Sequence, residues 1–593
     1  MLRNKNHKIG CIFRYFHKVS TRFCDQSYVH GATDIPLLNH TVADRFRIAL
    51  EQGPDKPMVT FKQCGIQKTY QQVFDDARQF AASLIHLKLK KGDRIGIWGP
   101  NYYEWVVTKY AAALSGLILV NINPAYKADE LKYALQKVGV SAIISPMEYK
   151  TSSYYRTLTE VIPKMLQSQA GNGNVKSNNL PELKHVILFK TDKWFRGAWN
   201  FNELISSPGS SDFKLLDEYE SKIRVDDPFN IQFTSGTTGQ PKAATLSHHN
   251  VVNNAYFIGL RAGFDKNQEK LVIPVPLSHA FGFVIGLLNA VCHNQTSIFP
   301  SPTFNAKSVL EAINDEKPTL LYGTPTMFID ILNEPSLATT DISSIHGGMT
   351  GGAPAPSTLC QKMIKKLGMK DYVNTYGSTE VSPLIAMSYP DDKENEKVIS
   401  VGHVMPHLEM AVVNKRGNFV KRGEKGELIG RGYAVMQGYW NDEEKTKEVI
   451  GKDRWYHTGD VASMNPDGSI IISGRYTDMI IRGGENLYPT EIEQYISKHP
   501  SVADAQVIGV PDERMGEEVC VWIRRKTGAA LTEEELIEFL RDKISHNKIP
   551  RYILFKNEHD FPLTPSGKIR KNELRNLSKK ELNLESVTPH FNE

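Results

Sequence analysis

The chain has 593 residues, too many for one hydrophobic core, and its 40% hydrophobic content is that of a globular protein rather than a disordered one. Its net charge of +5 is local: residues 1–24 hold six Lys/Arg and no acid, leaving 65 basic against 66 acidic residues elsewhere. That balance argues against a nucleic-acid binder. No run reaches the ~18 apolar residues of a membrane helix, and six scattered cysteines with no C-x-x-C pair argue against a disulfide scaffold or zinc ribbon.

The head, "MLRNKNHKIGCIFRYFHKVSTRFC", interleaves Arg and Lys with Ile9, Ile12, Phe13, Phe16 and Phe23. It reads as a mitochondrial presequence, with an unaddressed basic leader as the alternative. From residue 94 onward, short apolar runs alternate with helical patterns. "RIGIWG" (94–99) reads as a buried strand, "NYYEWVVTKYAAAL" as a helix and "GLILVNI" as the next strand. "VGVSAIIS", "LVIPVP" and "TLLYGTP" continue the series, each closed by Gly or Pro. Repeated β–turn–α units predict a mainly parallel sheet covered by helices, with ligands at the carboxyl ends of its strands. The polar stretch 167–179, "QSQAGNGNVKSNN", reads as an exposed loop insertion.

The loop "TSGTTGQPK" (234–242) has no apolar face. Gly236 and Gly239 permit positive φ and close approach to a ligand, while Thr234, Ser235, Thr237 and Thr238 add hydroxyls and Lys242 a charge suited to phosphate oxygen. It is not a P-loop, because Pro241 and Ala243 stand where that pattern needs Gly and Ser/Thr. A polar hairpin loop is the plain alternative.

Past about residue 475 the pattern changes. "GSIIISGRYTDMIIRGG" predicts paired strands, and "NLYPTEIEQYISKH" a helix with Pro489 near its start. "DAQVIGV" and "VCVWIRR" flank a loop as two further strands, and Thr532 with Glu535 forms a capping box for "EEELIEFLRDKI". This is the size of a small separate α+β domain.

"FTSGTTGQPKAATLSH" resembles the signature loop of the adenylate-forming superfamily, which contains acyl-CoA synthetases, luciferases and peptide-synthetase adenylation domains. "PLSHAFG" (276–282), "GGAP" (351–354), "TYGSTE" (375–380), "WYHTGD" (455–460), "GRYTDMIIRGGENLYPTEIE" (474–493) and "PLTPSGKIRK" (562–571) resemble its other motifs, in its order. The resemblance spans residues 35 to 575. It implies an α/β fold: a large N-terminal adenylation domain of helix-covered, parallel-rich sheets (35–474), a hinge (475–478) and a small mobile α+β domain (479–580).

The implied activity is ATP-dependent. A carboxylic acid becomes an acyl-adenylate, and coenzyme A then displaces AMP; a medium-chain fatty acid is the implied substrate. Carried over residue by residue, Thr234, Ser235, Gly236, Thr237, Thr238, Gly239 and Lys242 hold phosphates. Gly351, Gly352, Ala353 and Pro354 line the adenine, Tyr376 stacks on it, Gly377 and Ser378 continue the site, and Thr379 contacts a phosphate. Glu380 takes Mg²⁺, Asp460 the ribose diol, and Arg475 lies near ribose and phosphate. His279 gates the acyl pocket, Lys568 stabilises charge during adenylation, and the Arg482-Gly483-Gly484 turn serves the CoA tunnel.

Taken alone, several of these residues read otherwise: Glu380 as a helix cap, Asp460 as a turn residue, His279 as a packed core histidine, Lys568 as part of a solvated basic tail. Thr477 and Ala243 depart from the superfamily's usual residues, and Thr477 leaves the pivot open. The other readings are an aromatic acid–CoA ligase, a luciferase-like oxygenase, a peptide-synthetase module and a non-catalytic acyl or nucleotide sensor. The last three are disfavoured by the C-terminus "PHFNE", the lack of a carrier domain after 575, and the intact residue set.

Overall fold

The structure, a computed structural model, describes residues 25–234, 240–483, 485–541, 543–564 and 567–587. The basic head and the tip of the glycine loop lie outside them. Two large sheets dominate. One has eight strands, and its parallel part runs in the order Trp199–Asn200, His185–Phe189, Ala142–Pro146, Arg94–Trp98, Ile118–Ile122, Pro228–Thr234. Lys242–Ser247 and Gly438–Tyr439 close it antiparallel. The other has nine strands, with a parallel core of Asp371–Tyr376, Gly347–Thr350, Leu320–Gly323, Lys270–Val272, Thr296–Phe299 and Pro57–Phe61.

The parallel strands are buried on both faces, as a continuous apolar run requires. Tyr70–His86, Tyr103–Ser115 and His248–Ala262 pack between and over the sheets, with Phe46, Phe80, Trp105 and Tyr110 fully buried among them. Helix starts follow the local chemistry. Thr69 and Ser247 each accept from the third residue of their helix, whose side chain bonds back, and Gly116, Gly139 and Gly263 end helices in the left-handed region.

A third sheet of five antiparallel strands, Tyr28–His30, Leu408–Val413, Gly426–Gly432, Tyr456–Met464 and Ile470–Arg475, completes the large unit. A fourth belongs to the C-terminal unit: Glu485–Leu487, Ile480–Arg482, Gly516–Arg525 and Val502–Asp512, with Tyr552–Phe555 parallel to Gly516–Arg525. It has its own apolar core around Ile492, Val507, Val521 and Leu536. Pro489 opens the helix Pro489–Ile496, and the Thr532–Glu535 capping box is present, with both reciprocal bonds formed.

Two expectations are corrected. The described residues of 468–484 do not form paired strands with each other. Ile470–Arg475 pairs with Tyr456–Met464 in the third sheet, and Ile480–Arg482 pairs in the fourth. The three-residue turn Tyr476–Asp478 carries the chain between them. The 167–179 insertion is a loop but is not wholly exposed. Val175 is buried, and an added Cβ at Gly173 would strike Trp199 and the Val186 carbonyl.

Candidate active site

Strand ends deliver the motif residues to one place. Thr234 and Lys242 are ladder partners at the loop end of an antiparallel hairpin, so the loop between them starts from a fixed gap. Ser235, Gly236, Thr237, Thr238 and Gly239 lie outside the described residues. The Lys242 ammonium sits 5.0 Å from the centre of the Tyr439 ring. Tyr439 in turn donates from its hydroxyl to Glu380 Oε1 at 2.9 Å. Glu380 is buried in the short turn Thr379–Val381, next to buried Thr379, and its carbonyl accepts from the Met436 N–H at 2.8 Å.

Gly351 to Pro354 follow the strand Gly347–Thr350. A Cβ at Gly351 would fall 2.3 Å from Thr375 Oγ1, and Gly352 has φ +86°, so only glycines fit this close, left-handed passage. Tyr376 ends the neighbouring strand Asp371–Tyr376. Its hydroxyl donates to Asp460 Oδ2 at 2.5 Å, while Arg475 Nε donates to Asp460 Oδ1 at 3.0 Å. Asp460 and Arg475 face each other across the ladder of the third sheet. Ser378 Oγ lies 3.3 Å from the Tyr456 hydroxyl. The cluster thus joins the three main sheets of the large unit.

Lys568 enters from the C-terminal unit. Gly567, with φ +79°, turns the chain, and the Lys568 N–H donates to Thr564 Oγ1 at 3.0 Å. Its Cε lies 3.5 Å from where a Cβ at Gly352 would stand. Burial and the positive field of Arg475 bring its ammonium down to about 8, against the opposing pull of Glu380 and Asp460. His279 accepts from the Phe281 N–H through Nδ1 at 3.2 Å, which leaves its proton on Nε2. Burial, with Lys568 nearby, lowers it to about 3, so it is neutral at working pH.

These values give a pH prediction. The cation at Lys568 is complete well below pH 8 and is lost as pH rises through that value. On the activity that the resemblance implies, kcat/KM for ATP should therefore fall along an alkaline limb near pH 8. A flat profile from pH 7 to 9.5 would show that the Lys568 charge is not required.

The structure brings together Lys242, Gly351, Gly352, Tyr376, Glu380, Asp460, Arg475, His279 and Lys568. Arg482 is engaged elsewhere: it forks onto the buried Glu518 at 2.7 and 3.0 Å and bonds the Asn547 carbonyl. Gly483, at φ +57°, packs against Met515, and Gly484 lies outside the described residues. Sequence reasoning missed Tyr439 and Tyr456, whose hydroxyls serve Glu380 and Ser378. Tyr439 reaches the site because Ala244 pairs with it across the sheet edge, a register that no local pattern announces.

The description "AMP-binding enzyme" matches residues 46–440 and "AMP-binding enzyme C-terminal domain" matches 491–568. The chain is 46% identical over 560 residues to the "Medium-chain acyl-CoA ligase ACSF2, mitochondrial" of Danio rerio, covering 94% of this chain and 91% of that protein. Among solved structures, ATP-bound MatB from Rhodopseudomonas palustris superposes with a TM-score of 0.78 at 25% identity, over 92% of this chain and all of that one. The anthranilate CoA ligase AuaEII bound to anthranoyl-AMP reaches 0.81 at 24% identity, over 93% and 99%. The chain belongs to the AMP-binding enzymes, the adenylate-forming superfamily that its ordered motifs resemble.

Proposed function

We propose that the chain is an AMP-forming acyl-CoA synthetase, a medium-chain fatty acid–CoA ligase of the mitochondrial matrix. The observation that carries this reading is the convergence of Lys568, from one unit, on Glu380 and Asp460 of the other and on Arg475 at the junction between them. The identity to a ligase whose name specifies medium-chain acids and the mitochondrion supports the substrate class and compartment. The acid-free head 1–24 fits a transit peptide. The passage of the chain from one sheet to another across Tyr476–Asp478 supports a division into 35–474, a hinge at 475–478 and a lid at 479–580.

In the first half-reaction a carboxylate oxygen of the acid attacks the α-phosphorus of ATP. The bond from that phosphorus to the bridging oxygen breaks, and pyrophosphate leaves with the electron pair. The Lys568 ammonium, held where this charge builds, stabilises it electrostatically, and neutral His279 offers an Nε2 proton without adding charge. Asp460 keeps lone pairs for the ribose diol while Tyr376 and Arg475 fix its orientation. Lys242 and the glycine loop hold the departing phosphates.

In the second half-reaction the CoA thiol sulfur attacks the acyl carbonyl carbon. The mixed-anhydride C–O bond breaks, AMP leaves and the thiol proton is released. Arg482, Gly483 and Gly484 belong to this step.

Glu380 fits Mg²⁺. Its carboxylate is buried, Tyr439 holds one oxygen, and the other has no partner among the described residues. Mg²⁺ often takes only one or two protein carboxylates beside phosphates and water, and no cluster of three or more ligating side chains occurs among the described residues. When bound, the ion would offset phosphate charge.

The test is pyrophosphate release across fatty acids from C2 to C18, with benzoate and coumarate, with and without CoA. A sharp optimum at middle chain lengths is expected. Preference for the aromatic acids would move the enzyme to the aromatic ligases, and no acid-dependent release at all would remove the ligase reading.

A further inference from the structure

The helix Pro325–Asn333 begins where the strand Leu320–Gly323 ends, beside the site. Thr326 Oγ1 on its first turn donates to the Gly567 carbonyl at 3.1 Å. Gly567 immediately precedes Lys568, so this bond fixes the backbone that carries the lysine. One turn later, on the same face, Asp330 Oδ1 accepts from both terminal nitrogens of Arg524, at 3.2 and 3.3 Å. Arg524 lies on the central strand of the C-terminal sheet. Two residues at i and i+4 on one helix of the large unit therefore hold two separate parts of the C-terminal unit.

Further contacts between the units include the Lys425 ammonium, 4.4 Å from the centre of the Tyr488 ring. Lys425 and Glu491 stand 3.9 Å apart with both side chains substantially exposed, and Thr358 meets Ser497 at 3.3 Å. In the Asp330–Arg524 pair, only 19% and 10% of the side chains are exposed. Beneath the lysine turn lies Thr324, 2% exposed. Its hydroxyl stands 3.0 Å from where a Cβ at Gly567 would be, so a bulkier residue at either position would push the turn off the helix.

Building on the acyl-CoA synthetase reading, we propose that Thr326 and Asp330 are positioning residues for adenylation: they dock the C-terminal unit so that Lys568 reaches the site. The dock is releasable. Burial pushes the Asp330 carboxyl up to about 6 in spite of Arg524, so desolvation takes back much of what the ion pair gains. A contact of this kind selects one geometry without trapping it. Arg524 also bonds Glu558 of its own unit at 2.9 Å and keeps that partner when the units separate. The bare Asp330 returns to water at the same moment. Both charges thus have somewhere to go, as a unit that must move in every turnover requires.

The experiment separates the half-reactions. ATP–pyrophosphate exchange with saturating acid reports adenylation, and thioester formation from supplied acyl-adenylate and CoA reports the second step. Arg524→Ala should slow exchange about tenfold, equivalent to about 1.4 kcal/mol, leaving the KM for ATP and thioester formation within about twofold. Thr326→Val should show the same split with a loss of about threefold, and Arg524→Lys, which keeps the charge, should recover most of the rate. Equal loss in both half-reactions, no loss in either, or Arg524→Lys as slow as Arg524→Ala would overturn the proposal. If the wild-type enzyme performs no acid-dependent exchange, the synthetase reading falls and the dock with it. If the wild type exchanges and the variants match it, only the dock falls.

Discussion

Lys568→Ala should lower acyl-adenylate formation by about a hundred- to a thousandfold, the cost of deleting a donor aimed at developing charge in a water-poor site. ATP binding should survive, because Lys242, Asp460 and Tyr376 come from the large unit, Arg475 stays paired with Asp460, and all remain in place. Thioester formation from supplied acyl-adenylate should be close to native, since the phosphorus chemistry is already complete. Stopped-flow pyrophosphate release, nucleotide titration and the supplied-adenylate assay measure these three quantities separately. Native-rate pyrophosphate release by the variant would refute the role given to this lysine. The folded state should tolerate the change: the wild-type ammonium is held below its ordinary range mainly by burial, so removing it relieves a desolvation cost.

Asp460→Ala should reduce kcat/KM for ATP by about a hundredfold, equivalent to about 2.7 kcal/mol. The carboxylate is buried and serves several partners at once. Its two oxygens take the Tyr376 hydroxyl and Arg475 Nε and retain capacity for a diol. Charge-assisted bonds of this kind contribute about 1.5–3 kcal/mol each, and the variant also leaves a tyrosine hydroxyl without its acceptor. The loss should appear mainly in the KM for ATP, with the chain-length profile unchanged. Asp460→Asn should fall between the two, because the amide keeps one acceptor but cannot hold Arg475 as an ion. A selective loss for one acyl chain length, with ATP affinity intact, would place Asp460 outside the nucleotide site.

Much of this candidate site was legible because its chemistry is written in short polar segments at strand ends. "TYGSTE" and "WYHTGD" carry glycine, hydroxyl and carboxylate at positions where a core strand has no use for them. Their order along the chain identified the superfamily and hence the two-unit fold. What stayed hidden depends on pairing across long sequence distances. Tyr439 meets Glu380 only because an antiparallel edge strand aligns it with Ala244. Thr326 and Asp330 sit in a segment, "PTMFIDILN", that reads as an ordinary amphipathic helix until the C-terminal unit lies against it. The misassigned strand pair at 470–482 has the same origin: two apolar runs separated by a short turn look like a hairpin, and alternation along each run cannot tell which sheet it joins. Val175 shows the complementary failure, since one buried residue in a polar loop leaves no periodic signal.

Arg475 is the last residue of its strand, the ladder partner of Asp460, and the neighbour of the turn that leads out of the large unit. On the proposed reading, one side chain would border both the nucleotide and the root of the moving part. Equilibrium coupling between two such events is reciprocal. Whatever free energy a bound nucleotide lends to the docked arrangement, docking must lend in equal measure to nucleotide affinity. A chain severed at residues 476–478 would then hold ATP more loosely by at most the factor with which ATP favours closure, even though every contact named for the ribose remained in the larger fragment.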